Sequence, residues 1–139
     1  MNYTTGIAAE KTIGEIQKNL AAHGAQAILA EYDDSGNIVM IKFKIPVNGQ
    51  SIGYQLPSDW RPVLKVMESH PKVPRRLCTQ DQALRVSWRI IKDWVAAQMA
   101  LVETQMAPLD EVFLPYAITP SGRTLYDHVQ ETHLLSAPQ

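Results

Sequence analysis

A single cysteine, Cys78, stands in a chain of 139 residues. No internal disulfide can form, no thiolate metal cluster can be assembled, and a reducing compartment is the natural setting. Long apolar runs are missing as well, since none approaches the roughly 18 residues that a membrane-spanning helix needs. There is no charged N-terminal segment leading into an apolar one, so the expected location is the cytoplasm, bacterial or of an infected host. Glycine-rich phosphate loops, a serine elbow, internal repeats and low-complexity tracts are all lacking.

What is present describes a folded domain. Hydrophobic residues make up 45% and charged residues 19% of the chain, a composition far from that of disordered segments. The length suits one ordinary domain with one core. The net charge of −1 hides an uneven distribution. Residues 61–92 carry eight basic and two acidic groups, whereas residues 93–139 carry one and six. Such asymmetry points to a polar interaction surface, unless the two segments neutralise each other in the fold.

The hydrophobic periodicity predicts α+β architecture. A helix is expected over about 12–23, with Thr12 and Glu15 as a capping box, Ile13, Ile16 and Leu20 on one face and Gly24 as the stop. "AQAILAEY", then the turn residues Asp33 to Gly36, then "NIVMIKFKI" predict two strands, the second with Val39, Ile41, Phe43 and Ile45 on one face. Asn48 and Gly49 suit a tight hairpin into a third strand. Ser58 is placed to cap a short helix ending before His70 and Pro71. Pro71 and Pro74 stiffen a connector, after which Thr79 and Gln82 repeat the capping signature and open the longest helix, to about Gln105. Short helices from Leu109 to Phe113 and around Leu125 to Val129 follow. The expectation is a single α+β domain, a three-stranded antiparallel meander packed against an N-terminal helix and a long C-terminal helix. Residues 10–70 form its helix, meander and short helix, and 79–131 its helical C-terminal part.

On the long helix, Leu84, Trp88, Ile91, Trp94, Val95, Met99, Leu101 and Val102 spread over about 160°, nearly half the circumference. An arc that wide predicts burial on two sides, against the sheet and against another helix or subunit. The rest of the helix holds Arg85, Arg89 and Lys92 at i, i+4 and i+7, at the end where positive charge opposes the helix dipole. With Lys72, Arg75 and Arg76 on the connector, these cations are candidates to straddle a phosphate backbone. Lys42 and Lys44 on the polar sheet face would extend the patch. The competing reading pairs Arg85 and Arg89 with Asp81 and Asp93 and covers the rest with the acidic C-terminal segment.

Other chemistry is thinly represented. Trp60 could stack on an unpaired base, whereas Trp88 and Trp94 belong to the apolar arc. Asp33 and Asp34 read as a turn before they read as a metal site. His128 and His133 lie five apart without a third ligand, and Cys78 lacks a histidine motif. No catalytic residue, metal or cofactor is expected.

The order of helix, three strands and helix is similar to the double-stranded-RNA-binding domain, yet that family opens its second helix with a lysine-rich motif where this chain has "SDWRPV" at Ser58 to Val63. Three strands backed by a long helix also resemble the core of phage single-strand annealing proteins, in topology alone. "KTIGEIQKNLAAHGAQAI" at Lys11 to Ile28, "QALRVSWRIIKDWVAAQMALVE" at Gln82 to Glu103 and "EVFLPYAITPSGRTLY" at Glu111 to Tyr126 look like a family of small proteins of bacteriophages, prophages and metagenomic sequence. The resemblance implies a viral or mobile-element origin and carries over no site residue. The expected function is a noncatalytic accessory protein that binds nucleic acid, DNA ahead of RNA, as a homo-oligomer and away from membranes. The alternative is a protein-binding or oligomer-forming module, such as an inhibitor of a host defence complex.

Overall fold

The computed structural model describes residues 1–137. Helix α1 (Ala9–Ala22) leads into strands β1 (Ala27–Tyr32), β2 (Ile38–Val47) and β3 (Gln50–Gln55). Helices α2 (Trp60–Ser69), α3 (Gln80–Glu103), α4 (Leu109–Val112) and α5 (Leu125–Thr132) follow. The strands form one antiparallel sheet in the order β1-β2-β3. Both turns follow from residue chemistry. Asn48 and Gly49 take the positive φ angles of 50° and 83° that a two-residue hairpin requires. In the first turn, the Asp33 carboxylate accepts from the backbone N–H groups of Ser35 and Asn37, each at 2.9 Å.

Two helix starts differ from the expected ones. Helix α1 begins a turn early at Ala9, and Thr12 lies inside it, its hydroxyl donating to the Ala8 carbonyl at 3.4 Å. The alanines before Thr12 are strong helix formers, and the back-bonded hydroxyl no longer competes for an end. Helix α2 is capped by Asp59, whose carboxylate accepts from the Arg61 N–H at 3.1 Å. Ser58 instead donates its hydroxyl to the Val39 carbonyl at 3.2 Å, tying the helix start to the sheet.

Period-two alternation on β2 sends Ile41, Phe43 and Ile45 inward, where α1 and α3 cover them. Ile13, Ile16 and Leu20 of α1 and Trp88, Ile91, Val95 and Met99 of α3 complete this cluster. The Trp88 ring is buried, and its indole N–H donates to the Ile38 carbonyl at 3.1 Å, which satisfies the one polar atom of that side chain. Phe113, after α4, packs edge-on against Phe43 and Trp94 and closes the far end.

A second cluster lies on another side of α3. Ala83 and Val86 meet Met67 of α2 and Val73 of the connector, with Trp60, Val63, Leu64, Leu77 and Tyr3 around them. The apolar arc of α3 is therefore met within the chain by the sheet and α1, through Trp88, Ile91, Trp94, Val95, Met99 and Val102, while α2 covers Ala83 and Val86 beyond it. It does not by itself call for a second subunit.

Gln82 holds the N-terminal lead onto this frame. Thr79 caps α3 by accepting from the Gln82 N–H at 3.2 Å, but the Gln82 side chain does not reach back to complete a capping box. Its amide, 2% exposed, donates to the carbonyls of Tyr3 and Thr5 at 3.0 and 2.9 Å. Replacing Gln82 by Ala orphans both carbonyls in a closed site, and the expected loss is about 1–3 kcal/mol in urea denaturation, with the N-terminal residues exposed to proteolysis.

Candidate nucleic-acid interface

The connector between α2 and α3 is built by its apolar residues. Val73 is buried in the second cluster and Leu77 is packed against it. The Val73 N–H reaches the His70 carbonyl at 3.1 Å, and a single 3-10 turn spans Arg75–Leu77. Prolines 71 and 74 restrict the remaining freedom. With one set of side chains anchored inward, Lys72, Arg75 and Arg76 are exposed. No acidic residue lies between Ser69 and Gln80, and none of the three has a carboxylate within ion-pair distance among the described residues.

The helical cations have a different fate. Arg85 donates to the Gln82 side-chain carbonyl at 3.1 Å, Arg89 approaches Asp93 at 3.8 Å, and Lys92 pairs with Glu15 of α1. Glu15 stands between helices, and the hydrogen bond from Lys92, aided by the charges of Lys92, Lys11 and Arg89, holds its carboxyl below the ordinary range. These contacts, with Asp81 in the first turn, answer the charge that opposes the α3 dipole.

Lys42 and Lys44 lie on neither surface. Alternation with the buried Ile41, Phe43 and Ile45 places them on the outer face of the sheet, away from α1 and α3. Lys42 pairs with Glu31 of β1 at 2.7 Å, while Lys44 has no carboxylate partner among the described residues. Both line a shallow trough of about 300 Å³ with Leu29, Gly53 and Ile118. Ile118 lies over Gly53, 3.4 Å from where a Cβ would stand. The structure thus groups the three connector cations, engages the three helical ones elsewhere, and sets the two sheet lysines on a separate face.

The acidic C-terminal segment does not cover the connector. Asp93 turns to Arg89, Glu103 accepts from His23 at 2.7 Å, and Glu131 pairs with Arg123. Trp60, half-buried, sits beneath the Arg61 guanidinium, which lies 5.6 Å from the ring centroid. It lines a cleft of about 380 Å³ with Glu31, Asp33, Asp59 and Gln80.

Every carboxylate in that cleft is engaged: Glu31 with Lys42, Asp33 with its turn and the Gln80 amide at 3.2 Å, and Asp59 with the start of α2. Hydrogen bonds, first among them that from the Asn37 N–H, keep the Asp33 carboxyl below its ordinary range. Among the described residues no group of three or more His, Cys, Asp or Glu side chains converges as a metal site. Cys78 is half-buried and directs its Sγ at the Pro74 carbonyl, 3.7 Å away. No described helix is long and apolar enough to cross a membrane.

Compared with known protein families, with characterised proteins and with solved structures, the chain shows no match.

Glu15 and Asp33 contribute to the acid limb of stability. Both are favoured in the ionised form by the folded state, so their contribution is complete at neutral pH. It fades as the pH falls from the ordinary carboxylate range towards the lowered values. Denaturation midpoints should hold steady from neutral to mildly acidic pH and then drop. The double variant Glu15→Gln, Asp33→Asn should start lower and show a shallower drop.

Proposed function

We propose that this chain is a noncatalytic accessory module of a bacteriophage or mobile element, working in the cytoplasm of a bacterial or infected cell, that grips the backbone of nucleic acid with its connector. The observation that carries the reading is the exposed and carboxylate-free trio Lys72, Arg75 and Arg76 on a backbone segment whose Val73, Leu77 and Cys78 side chains are anchored in the second cluster. An anchored segment presents its charges without the ordering cost that a flexible tail would meet on binding. Thr79 accepts from only one of the first amides of α3, so the remaining N–H groups of that turn add a weaker attraction for phosphate beside the trio. Arg85, Arg89 and Lys92, each already engaged, contribute little. Lys42 and Lys44 lie outside the interface.

Three phosphate contacts make a modest, non-specific binder. At physiological salt the dissociation constant should fall in the range of about 1–100 µM. Duplex DNA is the preferred ligand, and the backbone grip tolerates single strands. The logarithm of the affinity should fall against the logarithm of salt concentration with a slope of about −2.7, whereas participation of all six connector and helix cations would give about −5. The variant Lys72→Glu, Arg75→Glu, Arg76→Glu should abolish binding at low salt, while Lys42→Gln, Lys44→Gln should leave it unchanged. Fluorescence anisotropy with labelled single and double strands at several salt concentrations reads all of these. No binding by the wild type at low salt rejects the proposal.

The alternative reading, a module that binds protein or its own copies, draws support from a separate feature, the uncovered edge of the sheet.

A further inference from the structure

The two edges of the sheet are treated differently. Beside β3, the chain returns at Ala117 and Ile118, and the Ile118 N–H donates to the Gly53 carbonyl at 2.8 Å. Along β1 nothing comparable occurs. The strand pairs only with β2, and among the described residues no group outside the sheet hydrogen-bonds to the backbone of Ala27–Tyr32. Natural edge strands are commonly protected by proline, by lysine, by a bulge or by a covering element. Within "AILAEY" there is no proline and no lysine, and the one irregularity of register falls at the very end, between Glu31 and Tyr32. Ala27 to Glu31 therefore offer a regular, open edge, with Leu29 54% exposed at its centre.

We propose that this edge is completed by β1 of a second copy, antiparallel, to give a continuous six-stranded sheet. Twofold symmetry restricts the register. An axis normal to the sheet keeps each face on its own side, so one residue must stand opposite itself. Centred on Ala30, the pairing sets Leu29 against the charged Glu31 of the other copy. Centred on Ile28, it carries Glu31 past the strand end. Centred on Leu29, all five residues from Ala27 to Glu31 are paired.

In that register the two half-exposed Leu29 side chains meet across the axis, and each Ala27 faces Glu31 of the partner copy. Lys44 is the β2 neighbour of Ala27, and it is the sheet lysine without an acidic partner. Across the small Ala27 side chain it meets the incoming Glu31, twice by symmetry. The interface thus brings Glu31, which pairs with Lys42 of its own chain, within reach of Lys44 of the other copy as well, places apolar against apolar and fills the open hydrogen-bonding edge in one arrangement. This dimer does not depend on the nucleic-acid reading, because the connector cations lie on a different surface.

The test is the mass of the intact protein by sedimentation equilibrium over a wide concentration range, with circular dichroism confirming the fold of each variant. The wild type should sediment as a dimer. Leu29→Lys, which adds edge protection at an exposed position, should be a folded monomer. Lys44→Glu alone and Glu31→Lys alone should each raise the dissociation constant about tenfold, from two symmetric like-charge contacts, and the double exchange should recover most of the loss. In a Cys78→Ser background, Leu29→Cys should form an intermolecular disulfide under mild oxidation, as expected for a residue that faces its own copy. A monomeric wild type at all concentrations overturns the proposal. So does a dimer indifferent to Leu29→Lys, or a double exchange no better than the single variants. Loss of nucleic-acid binding in the connector variants with the dimer intact would leave this inference standing, and the converse would leave the binding proposal standing.

Discussion

The burial of α3 on two sides at once is the constraint on which the rest of the molecule depends. One side carries Trp88, Ile91, Val95 and Met99 into the cluster beneath the sheet, and the other carries Ala83 and Val86 into the cluster beneath α2. The second cluster is small, and a chain of this length has little area to spare. Sharing one helix makes the two clusters a single cooperative body. The N-terminal lead joins it through Gln82, and the connector joins it through Val73 and Leu77. Removing the α2 side would release the connector as well as the helix, because the same contacts hold both.

Electrostatics then sorts a basic stretch of sequence into unequal parts. Arg89 and Lys92 face inter-helix or local carboxylates, and Arg85 a side-chain amide, while the connector trio is left with solvent. The division follows from geometry. Residues on α3 lie within reach of α1 and of their own i+4 neighbours, whereas a proline-bounded segment without acids has no such neighbours. Exposed pairs of this kind add little stability. Their importance is that they reduce the number of cations free to meet a phosphate.

Much of this was legible in the sequence. The alternation of Ile41, Phe43 and Ile45, the Asn48-Gly49 hairpin and the Thr79 cap are local patterns that survive folding. The α+β class and the single three-stranded meander followed from them. Val39, expected on the same face as Ile41, instead lines the cleft beside Trp60, because the register shift at Glu31 and Tyr32 puts Ile38 into the core in its place. What failed to show were relations between segments distant in the chain. Thr12 and Glu15 have the spacing of a cap, yet Glu15 serves Lys92, 77 positions away. Gln82 has the spacing of a capping-box partner, yet it serves the carbonyls of Tyr3 and Thr5. Lys42 and Lys44 alternate correctly as polar residues, but only the placement of both helices on one face separates them from the other cations. The open β1 edge had no signal of its own, since a strand reads alike whether its second neighbour is present or absent. The absence of proline and lysine from "AILAEY" was the hint that could have found it.

The proposed function depends on location: the anchored connector presents Lys72, Arg75 and Arg76 close together in the chain, exposed and without carboxylate partners among the described residues. Mapping amide chemical shifts by NMR as a short duplex is titrated into the protein tests it most directly. The account predicts changes confined to residues 70–80 and the first turn of α3, with Lys42, Lys44 and the outer sheet face undisturbed. Changes centred on the sheet face, or spread along Arg85, Arg89 and Lys92 without the connector, would contradict it.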